Sequence, residues 1–351
     1  MQNTQQANSN LDKNFFFDIT NRSKMPIQVY IGGRGIGKTY SALRFLTKLP
    51  SNEKWIYMRR TGKEIEACGT EFGNPFKTIN RDTGSAILPE SGGGGACQFF
   101  YNESDPDNPY LVGYGVALST FAGLRSMDLS DVTYVVFDEF IPERQVKRIK
   151  GEGDALLNFY ETVNRNRELQ GRPPLILILL SNAINLANPI LEVLGIIGEL
   201  ENMIENHEHR RTIPNRSLYI ERVGRVGVSD AKRDTVLYRL ANSDFTEDAL
   251  SAQFLSADLS TIDKNPNLRE FTPFFRYGKW VIFRKDRTFH ITESTVTCAK
   301  QFPESAGTKV RAFFAPMYRN ARAYGDVTFD KYVTQVFFDN VTGYEEISEK
   351  I

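Results

Sequence analysis

Ile31-Gly32-Gly33-Arg34-Gly35-Ile36-Gly37-Lys38-Thr39 decides the fold of this 351-residue chain. It fits the pattern G-x-x-x-x-G-K-[ST] at every fixed position. The apolar run Ile27-Gln28-Val29-Tyr30-Ile31 before it reads as a strand, and residues 39–49 after it read as a helix. Glycines let such a loop wrap closely, so that backbone N–H groups from Gly32, Gly33, Arg34, Gly35, Ile36 and Gly37 point inward at phosphate oxygens. Lys38 is expected to neutralise the β- and γ-phosphates of ATP, and the Thr39 hydroxyl to ligate Mg²⁺. The helix that starts there turns its positive dipole end toward the same anion.

A second signal lies downstream. Val132-Thr133-Tyr134-Val135-Val136-Phe137-Asp138-Glu139 is a β-branched and aromatic run ending in two acids. It predicts a buried parallel strand whose carboxyl end reaches the ligand edge of the sheet. Asp138 suits the Mg²⁺-holding role, and Glu139 is placed to polarise the attacking water. Adjacent side chains on a strand point to opposite faces, so the strand must end at this pair. A solvated acidic turn is the plain alternative for the two acids taken alone.

From residue 27 to about 194, strand and helix patterns alternate, which argues for an α/β fold with a mostly parallel sheet and helices on both faces. Residues 54–58 read as a strand ending in Arg59-Arg60. Residues 98–102 and 110–118 read as a hairpin, 154–168 as a helix, and 174–180 as a second buried strand ending in Ser181-Asn182. The stretch 83–95, with its run Gly92-Gly93-Gly94-Gly95, reads as a flexible surface loop. Residues 1–14 are Gln/Asn-rich and are expected to be disordered. This gives a phosphate-loop ATPase domain over 15–220, a helical linker over 221–262, and a small α+β domain over 263–351. In that last domain, 271–293 reads as one hairpin turning at Arg284-Lys285-Asp286-Arg287.

Composition excludes several classes. Hydrophobic residues make up 41% and charged residues 25%, ordinary for a globular protein. No apolar run is long enough to span a membrane, and the polar start lacks a signal-peptide core. Three scattered cysteines, Cys68, Cys97 and Cys298, argue against a disulfide framework or zinc site. With 43 basic and 43 acidic residues, the chain has no global attraction to nucleic acid, so any such contact must be local.

The strings GGRGIGKT, WIYMRR, VVFDEFIPE, NRNRE and LLSNA, in that order, resemble the DNA-packaging (encapsidation) ATPases of small short-tailed phages, the phi-29-like kind. The likeness runs over residues 27–257. The resemblance implies an additional-strand, catalytic-glutamate phosphate-loop ATPase related to DNA-pumping translocases. It implies a homo-oligomeric ring, a pentamer, that couples ATP hydrolysis to movement of double-stranded DNA into a procapsid. Its partners would be the portal and, in one branch, a packaging RNA. The setting would be the host cytoplasm, docked on the procapsid, with the motor absent from the mature virion. The C-terminal domain would resemble a ribonuclease-H-like nuclease that has lost activity. Asp286, Glu293, Asp326 and Asp330 form no convincing carboxylate triad, so no nuclease activity is expected.

The resemblance favours Arg165, in Asn164-Arg165-Asn166-Arg167-Glu168, as a finger reaching into the next subunit, with Arg167 and Arg125 as alternatives. The plain reading of Arg165 is an exposed helix arginine paired with Glu161 or Glu168. Asn182 sits where a polar sensor would touch the γ-phosphate, or else caps a helix. Arg59 and Arg60 would sense nucleotide, couple to a neighbour, or simply be salt-bridged. Arg144, Lys147, Arg148 and Lys150 follow the acidic pair and would grip DNA phosphates from a ring's channel, or form a solvated loop. Two features depart from the family pattern. Pro142-Glu143-Arg144 delays the first basic residue, and the Gly-rich stretch is longer. A second basic, aromatic region spans Lys309, Arg311, Arg319 and Arg322, where such dense aromatics also suit a core. Two other functions compete: a membrane-bound phage morphogenesis ATPase, and a nucleotide-gated DNA-binding scaffold without turnover.

Overall fold

In the computed structural model, residues 16–101, 109–124, 128–142, 149, 151–182, 186, 188–224, 235–236 and 261–344 are described. The N-terminal stretch 1–14, Arg125, the basic set Arg144, Lys147, Arg148 and Lys150, and most of the expected linker lie outside the described residues. Contacts divide the chain into two compact units, Met1–Leu255 and Ser256–Ile351.

The first unit is built on a nine-stranded sheet. In chain order its strands are β1 (Ile27–Gly32), β2 (Lys54–Arg59), β3 (Ile87–Gly93), β4 (Ala96–Tyr101), β5 (Tyr110–Ala117), β6 (Val132–Asp138), β7 (Ile176–Asn182), β8 (Arg210–Ile213) and β9 (Leu218–Val223). Across the sheet they run β3-β4-β5-β2-β6-β7-β1-β9-β8. The sheet is mixed. The six central strands are parallel, while β3, β4 and β8 are antiparallel additions at the two edges. Short turns join antiparallel neighbours, whereas each parallel step needs a crossover. The central strands are near-continuous apolar runs because both faces are covered.

The helices are α1 (Lys38–Leu46), α2 (Gly62–Cys68), α3 (Lys77–Thr83), α4 (Glu152–Asn164), α5 (Pro189–Val193) and α6 (Ile197–Glu205). The crossovers from β1 to β2 and from β6 to β7 move in opposite directions across the sheet. Right-handed crossovers therefore place α1 and α4 on opposite faces. On the α1 face, Trp55 packs against Phe76 and Phe99 at ring separations of 4.9 and 5.3 Å. On the other, Phe159 of α4 meets Phe121 at 4.6 Å. Helix α4 leads back from the carboxyl edge of the sheet to its amino edge, where Asn164 accepts from the Leu175 backbone N–H at 2.9 Å.

Three expectations need correction here. Residues 83–95 are not a surface loop: 87–93 form edge strand β3, and the turn back to β4 uses Gly94 and Gly95 at positive φ. Helix α4 stops at Asn164, four residues short of the expected end, because Arg165 (φ 46°) and Asn166 (φ 56°) turn left-handed. Residues 221–223 belong to β9, paired with β1, rather than to a linker.

In the second unit, β10 (Thr272–Tyr277), β11 (Trp280–Lys285), β12 (Thr288–Glu293), β13 (Gln301–Phe302) and β14 (Val327–Phe329) form a sheet ordered β13-β10-β11-β12-β14. Residues 271–293 are a three-stranded meander, not one hairpin, because Gly278 (φ 56°) permits a tight first turn. Helices α7 (Gly307–Ala323) and α8 (Tyr332–Thr342) cover one face, burying Phe275, Phe314, Tyr318 and Phe338. Among the described residues, no helix is long and apolar enough to cross a membrane.

Candidate functional site

The carboxyl ends of β1, β6 and β7 converge on one cleft of about 440 Å³. Strand β1 ends at Gly32, whose backbone passes so close to β9 that a Cβ there would lie 2.8 Å from the Val223 Cβ. The loop then turns into α1 through Gly37 at φ 97°, a conformation L side chains rarely adopt. Lys38 opens the helix, and its ammonium folds back into the loop. It donates to the carbonyls of Gly32 (3.0 Å) and Gly33 (2.7 Å) and to Asn182 Oδ1 (3.2 Å). Asn182, the last residue of β7, is thus a direct partner of Lys38. Arg34 and Gly35 are exposed on the cleft rim.

Thr39 and Asp138 meet across the cleft floor: the Thr39 hydroxyl donates to Asp138 Oδ1 at 2.9 Å. Asp138 is the final residue of β6 and only 5% exposed. Its Oδ2 accepts from Tyr57 OH (3.1 Å) and Arg59 Nη1 (3.3 Å). Burial pushes the Asp138 carboxyl above the usual aspartate range, opposed by Arg59 and the Thr39 hydrogen bond. Glu139 follows at φ 54°, outside the strand. That left-handed step frees the two acids from opposite faces. A bulky residue adopts it at a cost of order 1–3 kcal/mol. Its carboxylate, about half exposed, accepts from Arg59 Nη2 at 2.7 Å.

Arg59 is the hub of these acids. Its guanidinium also contacts Glu64 Oε1 at 2.7 Å, and Glu64 accepts from the Thr61 backbone N–H at 2.8 Å, capping α2. Burial would raise the Glu64 carboxyl, but the Thr61 and Arg59 bonds outweigh it and hold it below the usual range. Arg60, one residue on, faces the other side of the sheet. It forms a bidentate pair with Glu152 at 2.6 and 3.2 Å, with side chains 3% and 0% exposed. The end of β2 is therefore fastened to the start of α4.

Sequence reasoning missed Tyr57. In sequence, Tyr57 and Arg59 stand two apart on β2 and so share one face, but nothing local places that face beside Asp138. It also missed the entry segment. Phe17 N–H donates to the Ile36 carbonyl at 2.9 Å, and Ile19 N–H to Ser41 Oγ at 2.8 Å, so residues 16–19 strap the loop and α1.

The arginines after α4 separate sharply. Arg165 is exposed at the amino edge of the sheet and contacts Asp128 at 3.1 Å rather than Glu161 or Glu168. Thirteen helical residues, about 20 Å of rise, lie between this end of α4 and the start held by Arg60. Arg167 is 2% exposed and donates to the Ser130 carbonyl at 3.1 Å, so it braces its own domain and does not project outward. In the second unit, Arg319 donates to the Thr342 carbonyl, and Arg322 pairs with Asp339 at 3.4 Å. These two arginines tie α7 to α8 and do not form an open basic patch.

Residues 11–284 match the family described as Podovirus DNA encapsidation protein (Gp16). The DNA packaging protein of Bacillus phage B103 is 29% identical over 260 residues, covering 72% of this chain and 73% of that protein. The DNA packaging protein of Bacillus phage phi29 is 27% identical over 285 residues, covering 77% of each. A solved structure of the bacteriophage Phi-29 viral genome packaging motor assembly is similar with a TM-score of 0.59 at 19% identity, over 95% of this chain and 99% of that one.

Proposed function

The chain belongs to the Podovirus DNA encapsidation protein family and is a viral DNA-packaging ATPase, and on that premise we propose how its cleft works. The observation that carries the reading is one cleft in which Lys38–Asn182, Thr39–Asp138 and Glu139–Arg59 are all paired. Lys38 would exchange loop carbonyls for β- and γ-phosphate oxygens of ATP. Thr39 Oγ1 and Asp138 Oδ1, already 2.9 Å apart, are hard oxygen donors on one side of the cleft. That donor set fits Mg²⁺, which takes few protein ligands and keeps several waters. Mg²⁺ bound there would neutralise phosphate charge.

Glu139 is the general base in this reading, and Arg59 engages its half-exposed carboxylate. Turnover then requires Arg59 to release Glu139, for which a γ-phosphate is a competing anion. Asn182 would report the γ-phosphate through Lys38. Arg165, at the opposite edge from its own cleft, would stabilise transition-state charge in a neighbouring copy. We extend this to a homo-oligomeric ring, a pentamer by family likeness. It would be docked on the portal of a procapsid in the host cytoplasm, with packaging RNA as a further partner. The basic set 144–150 would grip double-stranded DNA, and the second unit would be a nucleic-acid-binding, nuclease-derived appendage.

The test is steady-state ATP hydrolysis with and without double-stranded DNA, with Glu139→Gln as the blank. DNA-stimulated turnover that drops at least about 100-fold in the variant, with nucleotide still bound, supports the reading. Equal turnover in parent and variant overturns the role of Glu139.

A further inference from the structure

Leu169 is 86% exposed, in the short helical turn Arg167–Gln170 that follows Arg165. Two consecutive left-handed residues, Arg165 and Asn166, swing this turn out from the end of α4, and the Leu169 N–H is held by the Asn166 carbonyl at 3.1 Å. Buried Arg167 pins the turn from beneath through Ser130. The result is a rigid knob at the amino edge of the sheet. It presents one large apolar side chain beside one exposed cation.

The opposite edge of the same unit carries the complementary pair of features. The cleft there is the anion site, and its rim holds Phe16, 48% exposed, with its Cβ 3.4 Å from where a Gly37 Cβ would stand. An apolar side chain beside a cation at one edge, and an apolar side chain beside a phosphate-binding cleft at the other, would suit a head-to-tail pair. Such a contact repeats from copy to copy and closes into a ring when the rotation allows. An isolated exposed leucine needs no explanation in general. Here the backbone is bent to display it next to an exposed arginine at the edge opposite its own cleft.

We propose that Leu169 of one copy docks against Phe16 on the cleft rim of the next, as the apolar anchor that delivers Arg165. This rests on the reading of Arg165 as acting in a neighbouring cleft. Leu169 is a positioning residue and touches no reacting atom. The small anchor also explains the pairing of roles. Arg165 must leave Asp128 to act on a neighbour, and a seated leucine four residues away would fix its approach. Few residues dominate contacts of this kind.

The test uses the full chain with a non-hydrolysable ATP analogue and double-stranded DNA. Leu169→Cys and Phe16→Cys are combined in one chain and oxidised. A ladder of cross-linked multimers is expected from the double variant, and neither single variant should extend beyond dimers. In parallel, Leu169→Asp should weaken self-association in sedimentation by about 10-fold or more while leaving nucleotide affinity unchanged, and Leu169→Met should restore it. A double-cysteine chain without a ladder, or Leu169→Asp that assembles like the parent, overturns the proposal. Arg165→Ala separates the two layers. Normal assembly with lost turnover upholds both the contact and the reading beneath it. Normal turnover in Arg165→Ala removes the finger role, and with it the purpose assigned to the anchor.

Discussion

Replacing Arg60 by methionine should destabilise the first unit far more than its position at a strand end suggests. The Arg60–Glu152 pair is bidentate and almost wholly shielded, at 3% and 0% side-chain exposure. Removing one partner leaves the other charge buried and unpaired, a cost of about 3–5 kcal/mol. Replacing both by apolar groups of similar volume removes both desolvation penalties. Arg60→Met/Glu152→Leu should therefore lie within about 1 kcal/mol of the parent. The chain has two tryptophans, Trp55 in β2 and Trp280 in the second unit. In a Trp280→Phe background, Trp55 fluorescence reports the first unit alone. With a urea dependence of about 3 kcal/mol per molar, each single variant should lower the midpoint by roughly 1–1.7 M, and the double should recover most of it. A double variant that falls as far as the sum of the singles would refute the reasoning, because the two groups would then act independently. The recovered double also asks a functional question. It keeps the junction between β2 and α4 but loses its directional hydrogen bonds, so any loss of turnover at unchanged nucleotide affinity traces to that junction.

Other outcomes follow from the cleft. Gly32→Ala should cut nucleotide affinity by about 10-fold or more, since its Cβ meets the Val223 Cβ at 2.8 Å and carbonyl at 2.9 Å. Gly123→Ala, with nothing within 4 Å, should be silent in the same fluorescent-nucleotide titration. Burial raises the Asp138 carboxyl and Arg59 opposes the rise, so Mg²⁺-dependent ATP binding should fail on acidification at higher pH than for an ordinary aspartate. Arg59→Met should move that acid limb further up; an unmoved limb would deny the coupling. For stability the sign is reversed. A raised folded pKa favours folding below the ordinary aspartate value, and that contribution is lost as pH climbs through the raised value. Asn182→Ala removes one acceptor of Lys38 and leaves the Gly32 and Gly33 carbonyls, so it should weaken nucleotide binding by only a few-fold, measured in the same titration.

The parallel centre of the sheet was legible because doubly covered strands must be apolar throughout, as in Val132–Asp138 and Ile176–Asn182. The edges were not. In 83–95, glycine and proline propensities speak for a loop, yet the same glycines serve a strand that pairs on one side only and a turn at positive φ. Local propensity carries no record of a partner strand. The phosphate loop and acidic pair were legible as spacing. The hold of Tyr57 and Arg59 on those acids was not, because it depends on β2 lying next to β6, a neighbour relation across 80 residues. Arg165 and Arg167 looked alike in sequence. Two left-handed residues send one outward and leave the other buried.

The two borders of the large sheet carry a separate consequence for the proposed ring of copies. An open strand edge is a template for sheet-to-sheet fusion and aggregation. Here β3 ends the sheet with Pro89, Glu90 and two exposed glycines, Gly92 and Gly93. At the other border β8 presents Arg210, while Arg211 is pinned by Glu199 and Glu208. Proline withholds a hydrogen-bond donor, glycine offers no grip, and arginines repel their own kind. Among the described residues, neither border invites a second sheet. Copies brought together in such a ring would be steered away from irreversible strand exchange.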